Sequence, residues 1–510
     1  MRRAQPMKLD WDVCSRARLA RDARFDGKFF IAVKTTGIYC RPICRARTSN
    51  ERNILYFPTA AAAAEAGFRP CLRCRPESSP GCPAWAGTQN TVTRALRLID
   101  ESGLEDGGVE ALAEHLGVGA RHLRRLFLKH LGASPTAVAQ TRRLHFAKKL
   151  IDETTLPMGQ VALAAGFGCV RRFNETIRKV YQRSPTQIRR LARKTPRQPQ
   201  NAYLFRLDFR PPYNWKRLLE FLAARATPGV ELVRDGRYRR SISLSGHHGF
   251  LEVSFEGQKN ELAACVQFDE PRSLLFIIER ARAMFDLNAD WSVIARTLRA
   301  DPTLARAVAA EEGLRVPGCW NGFELTVRAI LGQQVSVKGA TTLAGRLADA
   351  FGQPFSASEG LTRLFPAPDV LAGADLTRIG LTRARADTVR ALARAVCERR
   401  IRFEGLLDYD DLRARLLDVP GIGKWTAEYV AMRAMCDPDA FPAGDLHLRK
   451  SFGNCTEREL EHRSEAWRPW RAYAAMLLWQ AEPGEPPPTR ATTVRKLVRP
   501  SADRRGVGLP

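Results

Sequence analysis

The spacing of apolar positions divides the chain into stretches of different texture. Between residues 90 and 192 apolar side chains recur at intervals of three and four, and the same pattern occurs twice, which predicts a helix-rich array. From Tyr203 to Phe276 the pattern shortens to alternating runs such as Tyr203 to Phe209 and Ser241 to Leu244, which predict strands. Helical spacing returns from Phe276 to about Gln480. Turn-rich or Pro-rich stretches at Ser78 to Pro83, at Lys194 to Gln200 and from Pro483 onward separate these blocks. The expected fold is multidomain α+β and mostly helical, and the tail over 483–510, with Pro486, Pro487 and Pro488, is expected to be disordered and weakly basic.

Length and composition narrow the picture. At 510 residues the chain has room for roughly three to five domains. With 45% hydrophobic and 26% charged residues, wholesale disorder is excluded. The charge is unusual: 81 Lys and Arg face 54 Asp and Glu, a net +27. The excess is concentrated in residues 1–200, where 36 basic side chains face 16 acidic ones. Such a field attracts polyanions, although an Arg-rich codon bias would produce part of it. No run of about 18 apolar residues exists, and the start at Met1 lacks the apolar stretch of a signal peptide. The expected location is the cytoplasm, at the nucleoid and off the membrane. In that reducing compartment the 12 Cys are thiols or metal ligands.

Four of those Cys are grouped. Cys40, Cys44, Cys71 and Cys74 form two close pairs that a folded chain can bring together as a tetrahedron around Zn²⁺. Arg41, Arg45, Arg47, Arg69, Arg73 and Arg75 surround them, a cationic shell suited to a phosphate backbone. The phrases TTGIYCRPICRAR at 35–47 and AGFRPCLRC at 66–74 resemble the N-terminal domain of the Ada adaptive-response regulators, placed at residues 1–80. The resemblance implies one zinc per chain held by all four Cys, with Cys40 accepting a methyl group irreversibly from a DNA methylphosphotriester. A purely structural zinc ribbon is the alternative.

Two helix-turn-helix patterns follow. In the first, VEALAEHLGVG at 109–119 leads into a second helix bearing Arg121, His122, Arg124 and Arg125 on its polar face. In the second, QVALAAGFG at 160–168 leads into a helix bearing Arg171 and Arg172. Each ends in a similar phrase, Gly132-Ala133-Ser134-Pro135-Thr136 and Gln182-Arg183-Ser184-Pro185-Thr186. The pair resembles the AraC-type DNA-binding domain, here 88–195, and the alternative is a helical bundle with a solvated Arg face. His115, His130 and His145 lack the spacing of metal ligands.

Between two helical patterns, LLDVPGIGKWTAEY at 416–429 places Pro-Gly-x-Gly, a turn whose main-chain N–H groups can face a phosphate. Gly421, Gly423 and Lys424 are the expected DNA contacts, and the carbonyls of Leu417, Val419 and Ile422 are expected to hold Na⁺ or K⁺. Asp445 follows 20 residues after Trp425, and this spacing resembles the helix-hairpin-helix DNA glycosylase superfamily. In its bifunctional members a Lys stands where this chain has Trp425, so strand-cleaving lyase chemistry is not expected. Trp425, Tyr429 and Trp479, with RAILGQQVS at 328–336 and WRPWRAYA at 467–474, resemble the AlkA-type 3-methyladenine DNA glycosylases II. The resemblance implies an α+β domain at 201–285 and a helical glycosylase domain at 286–482. Gln333 and Gln334 are expected at the DNA, with Gln334 where relatives often carry an apolar wedge. The Pro-Cys-His-Arg tetrapeptide of the Ada methyltransferase domain does not occur.

Alkylation at a ring nitrogen makes a purine cationic and a good leaving group. Aromatic walls would bind such a base through cation–π contacts, ~0.5–2 kcal/mol each. An ionised Asp445 would stabilise positive charge at C1′ and orient or deprotonate water. The alternatives are that the aromatics are core residues and that Asp445 is a helix N-cap. Alkylated double-stranded DNA, methylphosphotriesters, promoter sites and RNA polymerase are the expected partners. A regulator with a catalytically silent glycosylase fold is the competing reading.

Overall fold

The computed structural model describes residues 10–46, 49–80, 91–102, 108–192, 202–257, 259–358, 360–403 and 409–480. Arg47, the linker residues 81–83 and 194–200, and the tail over 483–510 lie outside the described residues.

The head is a four-stranded sheet in the order Ile54–Phe57, Phe30–Val33, Ile38–Cys40, Arg69–Pro70. The hairpin that pairs Ile31 with Cys40 turns at Gly37, whose φ of 67° lies in the left-handed region. The parallel pairing of Ile38–Cys40 with Arg69–Pro70 brings the two Cys pairs to one end of the sheet.

Both helix-turn-helix units form as the sequence predicts. Gly108–His115 is followed by Ala120–Leu131, and Met158–Ala164 by Val170–Tyr181. The turns use Gly117 and Gly166, both at positive φ. The repeated phrase after each unit is a stop followed by a start. Gly132 and Gln182 end their helices in the left-handed conformation, and Ser134 and Ser184 then cap the next helix with Pro at its first turn.

Beyond residue 202 a five-stranded antiparallel sheet runs in the order Ala202–Asp208, Glu261–Phe268, His247–Phe255, Arg237–Leu244, Glu231–Arg234. Ala202–Asp208 and Glu261–Phe268 bury every second residue, as the alternating pattern requires. The remainder is helical apart from a short β-ribbon, Pro354–Ser358 with Leu361–Arg363. Its alternation is too brief to stand out against the helical spacing around it.

The blocks are not separate beads. One apolar cluster runs from Leu144 of the helix Pro135–Glu153, Phe173 of the second helix-turn-helix unit and Ile188 of the helix after it into Phe205, Leu251 and Ile277 of the α+β unit. Buried ions join the head to the same unit and to the segment just after it. Arg41, 4% exposed, donates to Asp26 at 2.9 Å and to Asp208 at 2.7 Å. Lys28 pairs with Asp290. Arg210, 1% exposed, donates to the carbonyls of Asp26, Asn288 and Pro80. Tyr39, next to Cys40, has its hydroxyl 2.9 Å from His145 Nε2, and burial pushes that imidazole down to about 4.

Removing Arg210 takes one buried donor away from the carbonyls of Asp26, Asn288 and Pro80. Arg210→Ala is expected to lower stability by roughly 2–4 kcal/mol, read from urea unfolding, and to expose the junction between head and α+β unit to protease. A change below about 0.5 kcal/mol, the usual range for surface substitutions, would contradict the docked arrangement.

Candidate active site and metal centre

The hairpin follows the helix Tyr409–Leu417 and leads into Lys424–Ala434. Gly421 adopts φ 91°, and a Cβ there would lie 2.1 Å from Thr388 Oγ1, so both conformation and packing demand glycine. Gly423 caps the next helix without a side-chain hydrogen bond, which leaves main-chain N–H groups of the first turn for an anion. Gly421, Gly423 and Lys424 are exposed. Val419 O accepts from Ile422 N at 3.0 Å, so one lone pair of that carbonyl is engaged within the turn.

Steps of four along Lys424–Ala434 put Trp425, Tyr429 and Arg433 on one face. The Trp425 and Tyr429 rings are stacked, 5.3 Å between centroids and 10° between planes. Trp479, from the helix Arg471–Gln480, closes the corner, 6.2 Å from Tyr429 and tilted by 58°. Asp445 lies within this group. Its Oδ2 accepts Trp425 Nε1–H at 2.9 Å, and its Oδ1 accepts Trp479 Nε1–H at 3.1 Å. Asp445 is also the N-cap of Leu446–Lys450, accepting the N–H groups of His447 and Leu448 at 2.9 and 3.1 Å. The cap and the pocket are thus the same carboxylate. Four N–H donors converge on two oxygens, which suits the ionised, acceptor-only form.

Two further contacts support the pocket. Arg433, 4% exposed, donates to Tyr429 Oη at 2.7 Å while its other nitrogens hold the carbonyls of Pro317 and Gly318. Burial alone pushes the Tyr429 phenol up, but the guanidiniums of Arg433, Arg225 and Arg328 outweigh it and hold the phenol below its ordinary value. Arg413 bridges Glu428 and Asp437 at 2.8 and 2.7 Å, and Glu428 accepts Phe441 N–H at 3.0 Å, fastening the loop that leads to Asp445. Helical spacing, four residues along one helix, points to the Arg433–Tyr429 contact, whereas the other partners lie far apart in the chain or on loops and carry no such signal.

Gln333 and Gln334 lie in the turn between Gly322–Leu331 and Val337–Phe351, and they differ. Gln334 is exposed, at φ 55°, with Val335 and Val337 also exposed beside it. Gln333, expected at the DNA, donates its side-chain amide to Gly421 O at 2.9 Å and to Thr426 Oγ1 at 3.2 Å.

In the head, the Sγ atoms of Cys40, Cys44, Cys71 and Cys74 all lie within 4.8 Å of one another. A zinc tetrahedron with Zn–S near 2.3 Å has S···S edges of roughly 3.8 Å, so the four thiols fit the ion. The donor set, all sulfur, suits zinc. Cys74 Sγ accepts the Arg41 N–H at 3.4 Å. The cationic shell is smaller than the sequence suggests. Arg41 is committed to Asp26 and Asp208, and Arg75 to Glu153 at 2.7 Å, because this end of the head is docked on its neighbours. Arg45 and Arg73 are exposed, and Arg69 is half-buried.

Arg121, Arg124, Arg125, Arg171 and Arg172 are all exposed, while Leu123, Phe127, Phe173 and Ile177 of the same helices are buried. Each second helix therefore presents its Arg to the outside and anchors by the opposite face.

Comparison with known proteins matches several segments of the chain to known families. Residues 13–77 match the metal binding domain of Ada, residues 112–191 a helix-turn-helix domain, residues 204–321 the AlkA N-terminal domain, and residues 327–470 the HhH-GPD superfamily base excision DNA repair proteins. The chain is 33% identical over 287 residues to DNA-3-methyladenine glycosylase 2 of Escherichia coli, covering 56% of this chain and 99% of that one. It is 42% identical over 125 residues to the bifunctional transcriptional activator/DNA repair enzyme Ada of the same organism, covering 24% of this chain and 34% of that one. Over 481 residues it is 42% identical to the probable bifunctional transcriptional activator/DNA repair enzyme AlkA of Mycobacterium tuberculosis, covering 93% of this chain and 97% of that one. The chain belongs to this family of bifunctional transcriptional activator/DNA repair enzymes, in which an Ada-type regulator is fused to an AlkA-type DNA glycosylase.

Proposed function

We propose that the chain hydrolyses the N-glycosidic bond of alkylated purines of the 3-methyladenine and 7-methylguanine class, and that Asp445 is the catalytic group. The observation that carries this is the Asp445 carboxylate tied to the indoles of Trp425 and Trp479. A base drawn out of the duplex and stacked on these rings has its sugar beside that carboxylate. As the C1′–N bond breaks, its electron pair goes to the base and cancels the alkylation charge. Positive charge then develops at C1′, facing Asp445. Water adds there and its proton passes to the carboxylate. Residue 425 is Trp, with no amine to form a Schiff base, so the reaction stops at the abasic site. The exposed hairpin with Gly421, Gly423 and Lys424 receives the DNA phosphate, and the carbonyls of Leu417, Val419 and Ile422 hold Na⁺ or K⁺ in the turn. Gln334 fills the gap left by the extruded nucleotide.

For the head, we propose that Cys40 is the methyl acceptor. When bound, Zn²⁺ keeps the four sulfurs deprotonated. The Cys40 thiolate attacks the methyl carbon of a methylphosphotriester, the C–O bond breaks, and the phosphodiester leaves as the anion. Thiolate becomes thioether, so the site loses one negative charge and repels the DNA backbone less. The exposed Arg residues of the two recognition helices, Arg121, Arg124, Arg125, Arg171 and Arg172, then read a promoter, where RNA polymerase is the partner.

Asn at 445 can still accept the two N-terminal N–H groups and so preserves the cap. Asp445→Asn is expected to cut single-turnover release of 3-methyladenine from alkylated duplex DNA by roughly 10²–10⁴-fold, with DNA binding kept. Release equal to wild type would remove Asp445 from the chemistry, and near-zero release by both proteins would leave the glycosylase half a passive DNA-binding module. For the head, mass spectrometry after incubation with DNA bearing methylphosphotriesters is expected to find one methyl group on Cys40 and none on Cys44, Cys71 or Cys74. Four unmodified Cys with zinc retained would mark a structural ribbon.

A further inference from the structure

Gln333 stands between the two parts of the site that must act on DNA together. The turn it belongs to carries Gln334 outward, and the hairpin it touches offers main-chain N–H groups to a phosphate. Its side chain is fixed in one sense, because Gly421 O is an acceptor only and the amide nitrogen must face it. The same nitrogen reaches Thr426 Oγ1, on a side chain only 2% exposed and one residue along from Trp425. Its own main-chain carbonyl accepts a bond from Arg385 Nη2. Arg385 lies on the helix Arg383–Cys397, which also presents Thr388 to Gly421, the contact that excludes any side chain at that glycine. Turn, hairpin, pocket helix and supporting helix therefore meet at one residue.

We infer that Gln333 is a positioning residue that locks the turn bearing Gln334 to the phosphate-binding hairpin, so that capture of the backbone and extrusion of the nucleotide occur at a set separation. It does this through the protein and without touching DNA. Gln334 follows at positive φ, a conformation that an L residue keeps only where its neighbours impose it. Arg385 and the hairpin supply that restraint on the side of Gln333. If the lock is cut, phosphate binding at the hairpin persists, but the turn drifts relative to the aromatic pocket. A misplacement near 1 Å at such a site costs up to about a hundredfold in rate.

The inference rests on the proposed base extrusion, and the experiment separates the two. In the full chain, Gln333→Glu keeps size and shape but sets a carboxylate oxygen against the Gly421 carbonyl, and Gln333→Ala deletes the contact. Arg385→Ala loosens the same turn from the other side. All three are measured for binding to undamaged duplex, for extrusion by the fluorescence of 2-aminopurine beside an alkylated purine, and for single-turnover base release at saturating enzyme. We expect undamaged-DNA binding within about twofold of wild type, weaker extrusion, and release slowed roughly tenfold or more, with Glu worse than Ala. Weaker binding with an unchanged saturated rate would make Gln333 a DNA contact and overturn the inference. So would wild-type extrusion and release in Gln333→Glu. A wild-type protein that releases no base would instead defeat the proposed excision reaction.

Discussion

One carboxylate satisfies two sets of donors at Asp445, and the glycosylase half is organised around that fact. The start of Leu446–Lys450 presents N–H groups that need an acceptor, and the aromatic pocket presents two indole N–H groups that need the same. A single Asp placed between them meets both demands. The arrangement makes the acid rigid, since neither oxygen can turn without breaking a bond. It also fixes Trp425 and Trp479 relative to the acid, so the surface that would receive a base and the charge that would act on its sugar are set by the same four contacts. Arg433 extends the restraint to Tyr429 and through it to the carbonyls of Pro317 and Gly318.

A second constraint acts on the whole chain. The regulator and the glycosylase share an apolar cluster and a set of buried ions, so the modules form joined layers. The apolar cluster supplies the attraction, because desolvation offsets much of the Coulomb energy of ions as buried as Arg41 and Asp26. The ion pairs contribute selectivity for one docking geometry: each charge taken from water must find its partner, and a shifted interface would leave it alone. Arg41, the residue after Cys40, is the most exacting of these, since it serves Asp26 within the head and Asp208 in the first strand of the α+β unit. The residue beside the proposed methyl acceptor is thus part of the joint between the two halves.

Much of the site was legible because its determinants are local. The Cys pairs have metal spacing, Gly421 sits in a turn that only glycine permits, and Trp425 and Tyr429 are one helical turn apart. The repeated Ser-Pro phrases are N-caps, which is why they recur after each helix-turn-helix unit. Asp445 raised two alternatives, cap or catalyst, and the structure makes it the cap of Leu446–Lys450 while it also accepts the indole N–H groups of Trp425 and Trp479. What escaped was long-range. Arg41 meets Asp208 across 167 residues, and Gln333 meets Gly421 across 88, and no periodicity in a chain encodes such a meeting. The bonds from the Gln333 amide to the hairpin depend on packing between distant segments, which its neighbour Gln334 in the sequence does not reveal. The Arg shell around the Cys was overcounted for a related reason: composition cannot distinguish a solvated guanidinium from one already paired with a buried carboxylate.

The most direct test of the central claim is a crystal structure of the chain on duplex DNA holding a pyrrolidine abasic nucleotide, whose ring cation imitates the charge that develops at the sugar. The account predicts the Asp445 carboxylate within about 3–3.5 Å of that ring, with Trp425, Tyr429 and Trp479 lining the space where the base would lie. A ring bound elsewhere, or an Asp445 that stays on its two indoles beyond reach of the sugar, would contradict it.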